Sequence, residues 1–199
     1  APGHPVVIQH KSGHMGVFST AAMAQLGIGE ATPDVPGGRI ERENGVPTGY
    51  MEEAAFVHWQ GKVPMPDLNA LMEAYERAQR QYASYGITTV QEGMMPRQLF
   101  PIYRKLTAEN RLWLDVTAYP PPEDYDAAAE AFAPARTGYA QHLHLGGVKI
   151  FLDGSPQGRT AWMRQPYLQG GCGYPTMTDQ QVAQAVRFAQ SRHIPILAH

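Results

Sequence analysis

Lys149 sits inside "GGVKIFLDGS" (146–155), flanked by Val148, Ile150, Phe151 and Leu152. An ammonium in an apolar strand is costly unless it is paired. Burial pushes such a lysine toward the neutral amine, which is a nucleophile and able to form a Schiff base. The plainer reading is a side chain that snorkels out of the strand, or pairs with Asp153 on the same face. Other residues with chemistry end apolar runs: Glu92 after "TTVQ", Asp153 after "KIFL" and His199 after "ILA". His142 and His144 form an "HLH" with metal-ligand spacing, and His14 lies in "SGHMG". Asp153 and Arg159 flank "DGSPQGRTA", and Trp162, Met163 and Tyr167 follow. Cys172, in the loop "GGCGYP", reads as a small neutral residue. His4, His10, His58 and His193 belong to no constellation.

The elements that must position these residues follow from periodicity. "PDLNALMEAYERAQRQYASYG" (66–86) repeats apolar residues at helical spacing, with Asp67 as a cap and Gly86 as a stop. "ITTVQEG" (87–93) follows as a strand. A helix over 96–111 has Pro101 marking a late start or a kink. "LWLDVTAY" (112–119) is the next strand, 121–136 an Ala-rich helix, and "GGVKIFLDG" a third strand. A Gly, Pro and Gln-rich loop (154–177) leads to a helix over 178–193 with a Thr178–Gln181 capping box, then to the strand "IPILAH". Upstream, 17–29 reads as a short helix ending at a glycine, and 37–51 as a hairpin turning at Asn44-Gly45. From residue 66 onward helices alternate with strands, which implies a parallel sheet. A (β/α)8 barrel and an open doubly wound sheet both satisfy that order. Polar residues closing several strands favour the barrel, whose active-site face lies at the strand C-termini. No Gly-rich phosphate fingerprint supports a dinucleotide site.

Composition narrows the classes. The net charge is −2 with no basic run, so nucleic-acid binding has no electrostatic support. No apolar stretch approaches the ~20 residues of a membrane span. A single cysteine excludes an internal disulfide framework. The chain opens on Ala1 and stops on a strand-like "IPILAH", so we expect it to be part of something longer, with a cytoplasmic location.

Several segments resemble the amidohydrolase superfamily, and within it amidohydrolase family 3, the group with N-substituted formamide deformylase-like enzymes. They are "SGHMGVFSTAAMAQLGI" (12–28), "GGRIERENGVPTGYMEEA" (37–54), "YGITTVQEG" (85–93), "GGVKIFLDGSPQGRTAWMRQPY" (146–167) and "IPILAH" (194–199). The resemblance implies a (β/α)8 TIM barrel of a metal-dependent hydrolase, with strands 2 to 5 in this chain. It also implies a small β-rich insertion near the N-terminus. We expect residues 1–60 to form that insertion and 61–199 the partial barrel. Binuclear superfamily members use an HxH pair on strand 1, a carboxylated lysine on strand 4, histidines on strands 5 and 6, and an aspartate on strand 8. With strand 1 upstream, Lys149 falls on strand 4 and His199 ends strand 5.

The resemblance thus implies that Lys149, as a carbamate formed from the neutral amine and carbon dioxide, and His199 are metal ligands. The cofactor would be a divalent metal, zinc, as one or two ions. His14, Arg159 and Trp162 would bind substrate, while Asp153 and Glu92 would support the ligands from behind. No catalytic acid or base lies within the chain, because the strand 8 aspartate is absent. Loop roles remain open beside these: His14 as a helix cap, Asp153 in an Asx turn, Arg159 on a loop carbonyl. Pro156 and Gln157 replace the Leu-Gly common in the family, which loosens the expectation for the loop. The HLH pair precedes strand 4 and so belongs to the barrel bottom, unless the barrel is wrong. The implied activity is hydrolysis of an amide or formamide-type C–N bond in a small molecule by a metal-activated water, with a homodimer as one arrangement. Two rivals remain: a truncated or degenerate barrel segment without activity, and a Schiff-base lysine enzyme.

Overall fold

Asn44 and Gly45 turn the chain with φ of 50° and 86°, the two positive values that a type I′ hairpin turn requires. The computed structural model describes residues 3–64 and 66–199. Two compact units divide the chain: Ala1–Pro64 with Phe151–Asp179, and Met65–Ile150 with Gln180–His199. The loop after the lysine segment therefore groups with the N-terminal residues, although the sequence reading attached it to the segment 61–199.

In the first unit the hairpin joins β3 (Gly38–Glu43) to β4 (Val46–Glu52), with Glu43 opposite Val46. β1 (Val7–Gln9) and β2 (Met15–Phe18) complete an antiparallel sheet in the order β1-β2-β4-β3. Helix α1 (Thr20–Leu26) starts where the Ser19 hydroxyl accepts the Ala22 N–H, and stops at Gly27 in the left-handed region. Helix α2 (Glu53–Gln60) follows β4 directly. Phe18, Ile40, Met51, Phe56 and Trp59 fill the space between this sheet and its helices.

In the second unit, helix α3 (Leu68–Ser84) is capped by the Asp67 carboxylate, which accepts from the Asn69 and Ala70 N–H groups. Its inner face carries Leu68, Leu71, Met72 and Tyr75 at helical spacing. Gln79 continues that face as a buried polar residue. Its amide oxygen accepts the Trp113 and Leu114 N–H groups and its amide nitrogen donates to the Arg111 carbonyl. It thereby satisfies backbone that would otherwise be buried unpaired. The strands are β5 (Thr89–Glu92), β6 (Asp115–Ala118), β7 (Leu143–Leu145), β8 (Val148–Ile150) and β9 (Ile196–Ala198), and the helices between them are α4 (Phe100–Ala108), α5 (Pro122–Ala131) and α6 (Asp179–Arg192). Pro101 does mark a late start: a 3-10 turn over Arg97–Leu99 precedes α4.

All strand pairing in this unit is parallel, β5-β6-β7 in one sheet and β8-β9 in another, and both sheets are open. The third strand expected over 146–154 is confined to β8 (Val148–Ile150), and a further strand, β7 (Leu143–Leu145), precedes it. β7 lies on β6 and β8 lies on β9, with Gly146-Gly147 between them. Backbone bonds carry the run across the break. The Gly146 N–H donates to Ala118 O, the Lys149 N–H to Pro120 O and the Val148 N–H to Pro195 O. Gly147, at φ 144°, sits so close to Pro195 that an added Cβ would fall 2.2 Å from its carbonyl oxygen. Only glycine fits that approach.

Candidate active site

Lys149 occupies the centre of β8 and is 9% exposed. Burial lowers its pKa from the ordinary lysine value. It pairs across the ladder with Leu197, and the His199 N–H just beyond β9 donates to Ile150 O at 3.0 Å. Side chains alternate along strands, so Lys149, Leu197 and His199 share one face. Val148 and Ile196 take the other face, where they pack with Tyr125 and Ala189 of the covering helices. The lysine and the histidine therefore stand on adjacent parallel strands, on the face turned away from the helical layer. Among the described residues, no group of three or more His, Cys, Asp or Glu side chains is arranged to hold a metal by itself.

His142 lies just before β7, but His144 is its central residue, opposite Thr117 of β6, so the pair does not precede the parallel strands as expected. His142 Nδ1 lies 2.9 Å from the carboxylate of Asp115, the first residue of β6, and both are exposed. His144 Nδ1 donates to the Ala135 carbonyl at 3.0 Å.

Glu92 ends β5, and its carboxylate accepts from the Tyr103 hydroxyl at 2.7 Å and the Tyr75 hydroxyl at 3.3 Å. Burial raises its pKa, with the two phenols pulling it back. The same burial, joined by the negative charge of Glu92, pushes Tyr75 up to about 12. A carboxyl whose pKa is higher in the folded state binds its proton more tightly there, so its contribution to stability is complete below the unfolded value and lost as pH rises through the folded one. Relative to Glu92→Gln, wild-type stability should therefore decline as pH rises from the ordinary carboxylate value of 4.5 through the raised native one. Denaturant midpoints of the two proteins across that window check this. A difference that stays constant with pH would show that the carboxyl is not held against ionisation.

In the first unit, three side chains that lie far apart in sequence converge. His14 Nδ1 lies 2.8 Å from Glu53 Oε2, and the Thr160 hydroxyl donates to Glu53 Oε1 in a short hydrogen bond. All three residues are buried, at 9%, 4% and 2% exposure. The His14 ring also stands edge-on to Phe151. Glu53 opens α2 at φ 50°, and its N–H donates to the His14 carbonyl at 2.6 Å. Sequence reasoning found His14 but missed Glu53 and Thr160. Neither an acid just past the expected hairpin nor a threonine in a loop carries a signal of its own.

The Asp153 carboxylate accepts the Trp162 N–H at 2.9 Å, pinning the loop across nine residues. Arg159 is exposed, in the left-handed region at φ 58°, and lines a concave surface with Arg39, Glu52 and Tyr174. At its base Glu52 accepts from the Tyr50 and Tyr174 hydroxyls at 3.0 and 3.3 Å. The side chain of Trp162 is open to solvent, 62% exposed.

The protein class follows from comparison with known proteins. Residues 1–199 match the Amidohydrolase family, and the chain belongs to it. It is 31% identical over 118 residues to an N-substituted formamide deformylase of Arthrobacter pascens, covering 56% of this chain and 22% of that protein. It is 25% identical to the putative amidohydrolase YtcJ of Bacillus subtilis, over all of this chain and 38% of that one. Its fold matches the crystal structure of an uncharacterized metal-dependent hydrolase from Pyrococcus horikoshii OT3. The TM-score is 0.71 at 23% identity, over 98% of this chain and 39% of the other. The chain thus spans well under half the length of each of these relatives. Among the described residues, no helix is long and apolar enough to cross a membrane.

Proposed function

We propose that this chain is a section of a metal-dependent amidohydrolase that cleaves an amide or formamide-type C–N bond in a small molecule. The observation that carries the reading is that Lys149, buried so that the ammonium is disfavoured, shares a face of the paired parallel strands with His199, two residues beyond its ladder partner Leu197. In this reading residues 61–199 supply strands 2 to 5 of a (β/α)8 barrel, and residues 1–60 form a β-rich insertion. The run of β5, β6, β7–β8 and β9 supports that numbering through its uniformly parallel pairing.

The residues present fit a divalent ion, zinc in our reading. An uncharged lysine amine can be carboxylated to an oxygen donor, and an imidazole is a common nitrogen donor for that metal. When bound, the metal lowers the pKa of a water toward neutrality and polarises the scissile carbonyl. Lys149 and His199 would hold it. Glu92 stiffens the end of β5 through Tyr75 and Tyr103. Asp153 holds the loop that carries Arg159 and Trp162, which, with His14, meet the substrate.

The test is the full-length protein, assayed for bound metal by elemental analysis and for hydrolysis of N-butylformamide and N-acetylbutylamine. Stoichiometric zinc with amine release supports the reading. Protein without metal and without hydrolysis of either amide, or one trapped by borohydride on a carbonyl compound, overturns it.

A further inference from the structure

We infer that Glu53 is a positioning residue that, anchored by Thr160, locks the imidazole of His14 in the Nδ1–H tautomer and in one orientation. Its bearing on turnover rests on the reading of His14 as a substrate contact. The geometry of the lock itself does not.

The two carboxylate oxygens of Glu53 divide their work. Oε1 accepts the Thr160 hydroxyl and Oε2 faces His14 Nδ1 at 2.8 Å. A carboxylate only accepts, so in the neutral ring the proton belongs on Nδ1 and the lone pair on Nε2. The backbone holds the same pair together, since the Glu53 N–H donates to the carbonyl of His14. The main chain at Glu53 is held at φ 50°, a value that a non-glycine residue adopts at a cost. That conformation turns the first residue of α2 back onto the start of β2.

Thr160 is fixed in turn. Its hydroxyl also receives the Ser155 N–H at 3.0 Å, and its own N–H donates to the Ser155 carbonyl. Gly154 lets these groups close up: a Cβ there would lie 2.1 Å from Thr160 Oγ1 and 2.2 Å from Glu53 Oε1. The arrangement is a buried chain of hydrogen bonds from loop to carboxylate to imidazole. Such a chain fixes a ring more narrowly than a surface ion pair would. A histidine needed only for packing would not require both oxygens of a buried acid to be committed around it.

The experiment uses full-length protein labelled with 15N-histidine and read by magic-angle-spinning 15N NMR, with the His14 signal assigned by its loss in His14→Gln. In wild type at a pH where the ring is neutral, Nδ1 should be the protonated nitrogen. In Glu53→Ala the ring should move toward the Nε2–H form that an unconstrained imidazole prefers. Glu53→Gln should keep the Nδ1–H form, because its amide oxygen still accepts. Thr160→Val should leave both forms populated, because the carboxylate loses its anchor. A wild-type ring protonated on Nε2 overturns the inference, and this result needs no variant to fold. An unchanged Nδ1–H ring in a folded Glu53→Ala also overturns it. Hydrolysis of N-butylformamide reads the role of His14 separately. If the tautomer responds as expected, kcat/KM in Glu53→Ala should fall about 10- to 100-fold, the scale of losing a partner that orients a functional histidine. Retained turnover with a shifted tautomer would uphold the lock and remove His14 from substrate contact.

Discussion

If the proposed function holds, Lys149→Ala in the full-length protein should lower bound metal and hydrolysis together, by more than the ~10- to 100-fold typical of losing a group that merely orients a ligand. The side chain is buried in the middle of β8, and burial already disfavours its charge. Alanine keeps the strand but removes the amine that carbon dioxide would convert into an oxygen donor. Lys149→Arg should not rescue, because a guanidinium stays protonated and cannot be carboxylated. A short carboxylic acid such as formate, added in bicarbonate-free buffer, should restore part of the activity of Lys149→Ala by replacing the lost oxygens. His142→Ala and His144→Ala are the controls, and both should retain metal. Their imidazoles are already engaged, by Asp115 and by the Ala135 carbonyl. Metal lost from the two histidine variants and retained in Lys149→Ala would move the site to the HLH pair.

Gly147→Ala should destabilise the protein by about 2–4 kcal/mol, from a conformation that non-glycine residues avoid plus a clash with fixed backbone. The new Cβ would stand 2.2 Å from the Pro195 carbonyl oxygen and 2.9 Å from its carbon. That oxygen is the acceptor of the Val148 N–H, the first bond holding β8 to the approach of β9. Pushing the two segments apart disturbs the register that brings Lys149 and His199 to one face, so metal content should fall along with the denaturation midpoint. Gly170→Ala separates the two contributions. Gly170 has a positive φ of 86° with nothing within 4 Å of the added carbon. Only conformational strain is expected there, about 1 kcal/mol. Equal losses at both positions would show that the close approach to Pro195 contributes nothing.

Much of this was legible in the sequence because it depends on local rules. Helix α3 announces itself through apolar spacing and the Asp67 cap, and α1 through the glycine that ends it. The hairpin follows from Asn44-Gly45, since few other pairs accept two positive φ values. The alternation of helices and strands after residue 66 implies parallel pairing, because a parallel connection needs a crossover of helical length. Lys149 stood out because a charge in an apolar run is expensive wherever the strand ends up.

The tertiary structure alone decided what depends on approach across sequence distance. The break at Gly146-Gly147 is invisible to periodicity, because the proximity of Pro195, 48 residues further on, makes the glycine necessary. The grouping of Phe151–Asp179 with the N-terminal residues likewise follows from contacts, not composition. Glu53 and Thr160 carry no local signal of a partnership, and only folding across 107 positions makes them partners. Residue type and local spacing determine which groups carry chemistry and which element holds each one. Which groups meet is set by packing and hydrogen-bond geometry, and no window of neighbouring residues contains that information.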